Sequence, residues 1–125
     1  MKSKMIIAAM AVCAMAVLSC THQPQSVAPQ VSFSRDIIPI FATSCAINSS
    51  CHAGAKNQGD NIDLDSAAAY ASIKSYQLVM TANPSGSLMY VEISSGNMPK
   101  APYSPLSAAQ MSTVLNWIKQ GAADN

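Results

Sequence analysis

Two cysteines and a histidine lie within eight residues of one another, in the run CAINSSCH that spans residues 45–52. Cys51 immediately precedes His52, as in the C-x-x-C-H pattern that attaches haem to a protein. The histidine must follow the second cysteine directly, because its imidazole has to reach the iron while that thiol is bonded to the porphyrin edge. The first cysteine, Cys45, is less constrained, since a longer spacer can loop outward. Haem attachment is therefore compatible with the five-residue spacer.

The same eight residues are open to two other interpretations. A disulfide between Cys45 and Cys51 is favoured in an oxidising compartment outside the cytoplasm. A metal site is the third interpretation, although two cysteines and one histidine leave a tetrahedral ion without its fourth ligand. The run by itself leaves haem, disulfide and metal open.

The first 19 residues have the parts of a secretory signal peptide. Lys2 and Lys4 supply the positive start, an uncharged apolar stretch follows over residues 5–18, and the small residue Ser19 precedes the break. The apolar stretch is shorter than the roughly 20 residues that a membrane-spanning helix needs. We therefore predict a signal peptide over residues 1–19.

The break ends on Cys20, in the sequence VLSC over residues 17–20, which resembles the lipobox of bacterial lipoproteins. The resemblance implies that Cys20 is lipidated and anchors the protein to a membrane of the bacterial cell envelope, facing the periplasm or the exterior. Residues 20–31 are polar and carry two prolines, so we predict that they form the lipidated cysteine and a flexible tether. The folded domain is expected over residues 32–123.

The charge of the mature chain excludes one class of partner. Residues 20–125 carry five basic and six acidic side chains, with no basic stripe, so we expect no nucleic-acid binding. A chain of this size buries only a modest core. A large apolar cofactor would help such a domain to hold together.

Four segments carry helix-forming patterns, so we predict an all-α domain of short helices and long loops. The predicted helices span residues 35–44, 65–72, 87–93 and 108–120. The first has Ser34 as its expected N-cap and delivers Cys45 at its end. The last has the clearest pattern, because Ser107 and Gln110 are spaced as a capping box and apolar residues then recur at helical intervals.

Met98 is the candidate for a second axial ligand. It lies in the predicted loop over residues 94–106, which contains three prolines and a glycine, so helix packing does not explain it. Methionine opposite histidine is the usual ligand pair in haem electron carriers, where it raises the reduction potential. Met80, Met89 and Met111 lie in apolar segments, where methionine commonly fills gaps.

Several stretches together resemble the small single-haem c-type cytochrome domains of bacterial cell-envelope lipoproteins. They are VSFSRDIIPIF at 31–41, IDLD at 62–65, NPSGSLMY at 83–90, MP at 98–99 and the closing segment at 105–122. They occur in the same order as in that family and cover about residues 31–123. The resemblance implies a small cytochrome c-like fold around one haem c.

By the same resemblance, Cys45 and Cys51 hold the haem, His52 is the proximal iron ligand and Met98 is the distal one. The long spacer between the cysteines is a departure from the family's pattern. The implied function is single-electron transfer with redox partner proteins. With both axial positions filled, we expect no enzymatic activity and no small-molecule substrate.

Two other functions compete with the electron carrier. One is a haem-free lipoprotein, a structural or binding module closed by a Cys45–Cys51 disulfide. The other is a haem enzyme or sensor with an open iron site, for which the sequence offers no histidine or arginine near Met98. For the electron carrier, apolarity and position predict these pocket walls: Phe41, Leu64, Tyr90, Ile93, Tyr103, Leu106 and Trp117.

Overall fold

The computed structural model describes residues 28–54 and 61–125. These two ranges contain four α-helices, one π-helical turn, one 3₁₀ turn and no β-strand, so the predicted all-α class is confirmed. The α-helices are α1 (Ile38–Ser44), α2 (Ala69–Ser75), α3 (Leu88–Ser94) and α4 (Ala108–Lys119). Long irregular segments separate them, as the sequence predicts.

The predicted signal peptide over residues 1–19, the lipidation site Cys20 and most of the predicted tether lie outside the described residues. The end of the tether is described and contacts α4. The Gln120 side chain accepts a hydrogen bond from Val31 N and donates one to the Pro29 carbonyl. None of the helices in the described part of the chain has the length and apolarity needed to cross a membrane.

The first predicted helix is present but begins differently. A π-helical turn, Phe33–Ile37, runs directly into α1, and its N-cap is Ser32, whose hydroxyl accepts from Arg35 N at 3.3 Å. The prediction of Ser34 as N-cap is therefore wrong. The Ser34 hydroxyl instead donates to the Asn125 carbonyl at 2.9 Å. Pro39 lies in the first turn of α1, and because it has no N–H it donates no hydrogen bond to the π-helical turn before it.

The second predicted helix starts four residues later than the sequence indicates. Asp65 begins a turn, because its carbonyl accepts from the backbone N–H groups of both Ala68 and Ala69. The Asp65 backbone N–H is in turn held by the Asp63 carboxylate at 2.9 Å. Asp65 therefore opens a preceding turn, and α2 begins only at Ala69.

The last two predicted helices are confirmed. α3 follows a 3₁₀ turn, Pro84–Gly86, and covers the predicted segment within one residue. The predicted capping box of α4 is formed: Gln110 N donates to the Ser107 hydroxyl, and Ser107 N donates to the Gln110 side chain at 2.8 Å. α4 ends just before Gly121, whose φ of +103° is a conformation that favours glycine.

An aromatic cluster in the core joins the two ends of the domain. The Phe33 ring lies 5.2 Å from that of Trp117 and 6.2 Å from that of Phe41. Trp117 is almost completely buried, and its indole N–H donates to the Ala123 carbonyl at 2.9 Å. This packing holds the π-helical turn against α4, and Phe41 also lines a cavity that Cys45 borders.

Candidate functional site

An apolar cavity of about 320 Å³ lies between α1, α3, α4 and the loops that connect them. Its volume is at the lower end of the roughly 300–1,000 Å³ range of small-molecule and cofactor sites. Three of the four predicted haem-binding residues line it: Cys45, His52 and Met98. The remaining lining residues are Phe41, Ile62, Leu64, Leu78, Leu88, Met89, Glu92, Ile93, Leu106 and Val114.

The long spacer between the cysteines folds outward as a compact turn. Cys51 N donates to the Asn48 carbonyl at 3.0 Å, and Ser50 N donates to the Asn48 side chain at 2.8 Å. The ends of the run then come back together, because His52 N donates to the Cys45 carbonyl at 3.0 Å. In a C-x-x-C-H run, the histidine follows the first cysteine by four residues, which is the separation of an α-helical hydrogen bond. In this chain the histidine N–H bonds to the carbonyl of a cysteine seven residues earlier.

The two cysteines differ in their surroundings. Both are free thiols, but Cys45 lines the cavity whereas Cys51 is not among its lining residues. Burial and, to a smaller extent, the neighbouring Cys51 together raise the pKa of the Cys45 thiol to about 12. Cys45 is therefore a neutral, apolar part of the cavity wall at ordinary pH.

The backbone holds the His52 ring in one tautomer. Its Nδ1 lies 3.2 Å from the Ile62 carbonyl oxygen. Because a carbonyl only accepts hydrogen bonds, Nδ1 carries the hydrogen and Nε2 keeps a free lone pair. A backbone carbonyl behind one ring nitrogen is the usual support for a histidine that ligates metal through the other.

The segment that carries Met98 is tied back to α3. Met98 N donates to the Glu92 carbonyl at 3.0 Å, and its half-buried side chain packs against the core and the cavity. Met89 of α3 lines the same cavity and is more deeply buried. The cavity thus holds two thioether sulfurs, of which the sequence singles out only Met98.

The predicted pocket walls are partly present. Phe41, Leu64, Ile93 and Leu106 line the cavity, but Tyr90, Tyr103 and Trp117 are not among its lining residues. Trp117 does not line the cavity, because its side chain packs against Phe33 in the aromatic cluster. Sequence reasoning missed Leu78 and Leu88, among others, and the helical pattern of α3 is the signal that could have indicated Leu88.

The donor atoms near the cavity do not suit a tetrahedral metal site. Within residues 28–54 and 61–125, no group of three or more histidine, cysteine, aspartate or glutamate side chains could hold a metal ion. The donors instead comprise a thiol in the cavity wall, a histidine with a free Nε2 and a methionine contributed by a separate loop. That set fits a haem with a histidine and a methionine as axial ligands.

Comparison with known proteins identifies no relative of this chain. No protein-family model, curated protein or solved structure matches the chain.

Proposed function

We propose that this protein binds one haem covalently through Cys45 and Cys51 and carries single electrons in the bacterial cell envelope. The observation that carries the proposal is the folding of the run 45–52, in which the spacer loops out and His52 N is bonded to the Cys45 carbonyl. The three extra residues therefore need not separate the first cysteine from the histidine. This closure supports haem attachment despite the long spacer.

The axial ligands in this proposal are His52 and Met98. The Ile62 carbonyl orients the His52 ring and leaves Nε2 free to ligate, while the loop anchored at Glu92 brings Met98 to the same cavity. A bound haem supplies a reversible one-electron iron couple. The apolar side chains of the cavity exclude water, and the thioether ligand favours the reduced state.

The proposal extends to location and partners. Lipidation of Cys20 would hold the domain at a membrane through the tether, so its electron donors and acceptors are proposed to be other proteins of the cell envelope. With both axial positions filled, no coordination position remains for a substrate, and the protein is proposed to be an electron carrier without enzymatic activity.

The test is the absorption spectrum of the full chain made in a host that attaches haem to cytochromes c. The protein is denatured, extracted with acidified organic solvent and examined oxidised and reduced. We expect a haem spectrum that stays with the polypeptide. Cys51→Ser and Cys45→Ser should each reduce the covalent haem, whereas Cys13→Ser, in the predicted signal peptide, should leave it unchanged.

A colourless protein from the same host would refute the electron-carrier proposal. The mass of the intact mature chain then identifies what replaces it. A loss of two hydrogens relative to the reduced chain would indicate the Cys45–Cys51 disulfide and a haem-free lipoprotein.

A further inference from the structure

We propose that the five-residue spacer positions Met98, acting through a hydrogen bond between Asn48 and Tyr103. The Asn48 side-chain nitrogen donates to the Tyr103 hydroxyl at 2.7 Å, across 55 residues of sequence. This inference rests on the proposed function, because it assigns the spacer a role in keeping the Met98 sulfur available to haem iron. The three residues by which this spacer exceeds the usual two would thus have a structural role.

Asn48 is well placed to make this contact. Its carbonyl accepts from Cys51 N and its side-chain oxygen accepts from Ser50 N, so both of its oxygens bond within the turn. Such an asparagine-centred turn holds the side chain in one orientation. The amide nitrogen is left to donate outside the spacer, and Tyr103 receives that bond.

The other partner lies in the segment between α3 and α4 that contains Met98. This segment is fixed near its start by the bond from Met98 N to the Glu92 carbonyl, and near its end by the buried Leu106. Between these anchors most residues are exposed. Among the described residues, the Asn48–Tyr103 bond is the one side-chain hydrogen bond that ties this middle part to another region of the chain.

The bond therefore closes a path from the haem-attachment run to the axial methionine. Cys51 and His52 follow the spacer directly, so a haem held by them is rigidly connected to Asn48. Tyr103 in turn forms a turn with Lys100, because Tyr103 N donates to the Lys100 carbonyl at 3.1 Å. That turn leads back to Met98 over only a few residues.

The direct test is Tyr103→Phe, which removes the hydroxyl and keeps the ring. The haem-loaded full chain is titrated with imidazole, which competes with Met98 for ferric iron. Loss of one neutral hydrogen bond should loosen the Met98 segment and lower the apparent imidazole Kd by about two- to tenfold. Amide deuterium exchange in residues 96–104 should rise in parallel.

Three further variants separate positioning from a general loss of structure. Asn48→Asp should retain near-wild-type imidazole affinity, because a carboxylate can accept from both Ser50 N and the Tyr103 hydroxyl. Tyr76→Phe, at a half-exposed tyrosine outside the segment, is the matched control and should change nothing. The double variant Asn48→Ala with Tyr103→Phe should have the same apparent imidazole Kd as Asn48→Ala alone, because both substitutions remove the same hydrogen bond.

The results of these experiments separate the positioning role of the spacer from the proposed electron-carrier function. A protein that carries covalent haem, but whose imidazole affinity and amide exchange are the same with Tyr103→Phe, would overturn the positioning role and leave the electron carrier intact. Additive effects of the Asn48 and Tyr103 substitutions would also overturn it. A colourless wild-type protein would overturn the proposed function and, with it, this inference.

Discussion

The hydrogen on Nδ1 of His52 decides what that ring can bind. The Ile62 carbonyl accepts it, so the lone pair is on Nε2. The bonds from His52 N to the Cys45 carbonyl and from Leu64 N to the His52 carbonyl fix the backbone on both sides of the same residue. A histidine held at three points has little freedom left to lose when it ligates, which favours binding.

The choice of axial methionine is testable, because Met89 and Met98 line the same cavity. Met98→Ala should free the sixth coordination position and lower the midpoint potential, by a sizeable part of the roughly 0.8 V over which axial ligands set haem potentials. Potentiometric titration with optical detection measures this. Met89→Leu keeps the cavity filled and should leave the potential nearly unchanged; the reverse result would make Met89 the ligand.

The raised pKa of the half-buried Cys45 thiol predicts unequal cysteine reactivity in a chain made without haem. With a pKa raised to about 12, only about one Cys45 thiol in ten thousand is ionised at pH 8, and the thiolate is the nucleophile. Iodoacetamide should therefore label Cys51 at least about tenfold faster than Cys45, as measured by peptide mass spectrometry. In denaturant the two rates should converge, and equal rates in the native chain would contradict the burial of Cys45.

The raised pKa of Cys45 also predicts that the free energy of unfolding decreases as the pH rises above about 9. The folded chain keeps Cys45 neutral, whereas in the unfolded chain the thiol ionises near its ordinary pKa of 9.0. The contribution of Cys45 to the stability of the haem-free chain is thus complete below about pH 9 and is lost as the pH rises toward 12.

At the scale of the elements, α4 and α2 differ in their local caps. α4 has a complete capping box, and the sequence predicts its start correctly. The N-cap residue of α2, Ala68, makes no side-chain cap bond, and the start of this helix is four residues from the predicted one. The start of α2 instead follows the turn that Asp65 opens.

The capping box gives a prediction with an internal control. Ser107→Ala removes the acceptor for Gln110 N and should destabilise the domain by about 1 kcal/mol, which lowers the Tm by about 4–8 °C. Ser112→Ala makes the same chemical change in the exposed middle of α4, where alanine is the better helix former. Thermal denaturation of the haem-loaded protein should show a lower Tm for Ser107→Ala only; equal Tm values would deny the cap its role.

At the scale of the whole molecule, one apolar core contains both the aromatic cluster and the wall of the cavity. Phe33, Phe41 and Trp117 form the aromatic cluster that joins the two ends, and Phe41 also lines the cavity. A chain of this size buries only a modest core. The proposed haem would occupy the cavity and complete the core.

The proposed membrane attachment depends on one thiol outside the described residues. Cys20→Ser should prevent lipidation, so the folded domain should move from the detergent phase to the aqueous phase on detergent phase separation. Its visible spectrum should not change, because Cys20 is not among the residues proposed to bind haem. Retention of the variant in the detergent phase would argue against the lipid anchor.

The sequence by itself determined the features that depend on neighbouring residues. The all-α class, the capping box at Ser107, the helix at α3 and the loop that carries Met98 are all written in local patterns. The candidate ligands His52 and Met98 were also identified, because an imidazole beside a cysteine and a methionine in an irregular loop have few structural explanations.

Only the tertiary structure decided how distant residues combine. Ser34 does not cap the first helix, because its hydroxyl bonds to Asn125, a residue more than ninety positions away. Trp117 packs in the aromatic cluster and Leu78 lines the cavity, because contacts between separate segments determine where each side chain is buried. The spacer likewise bonds to a distant segment, through Asn48 and Tyr103. Such contacts form between segments that meet only after folding, so no local pattern encodes them.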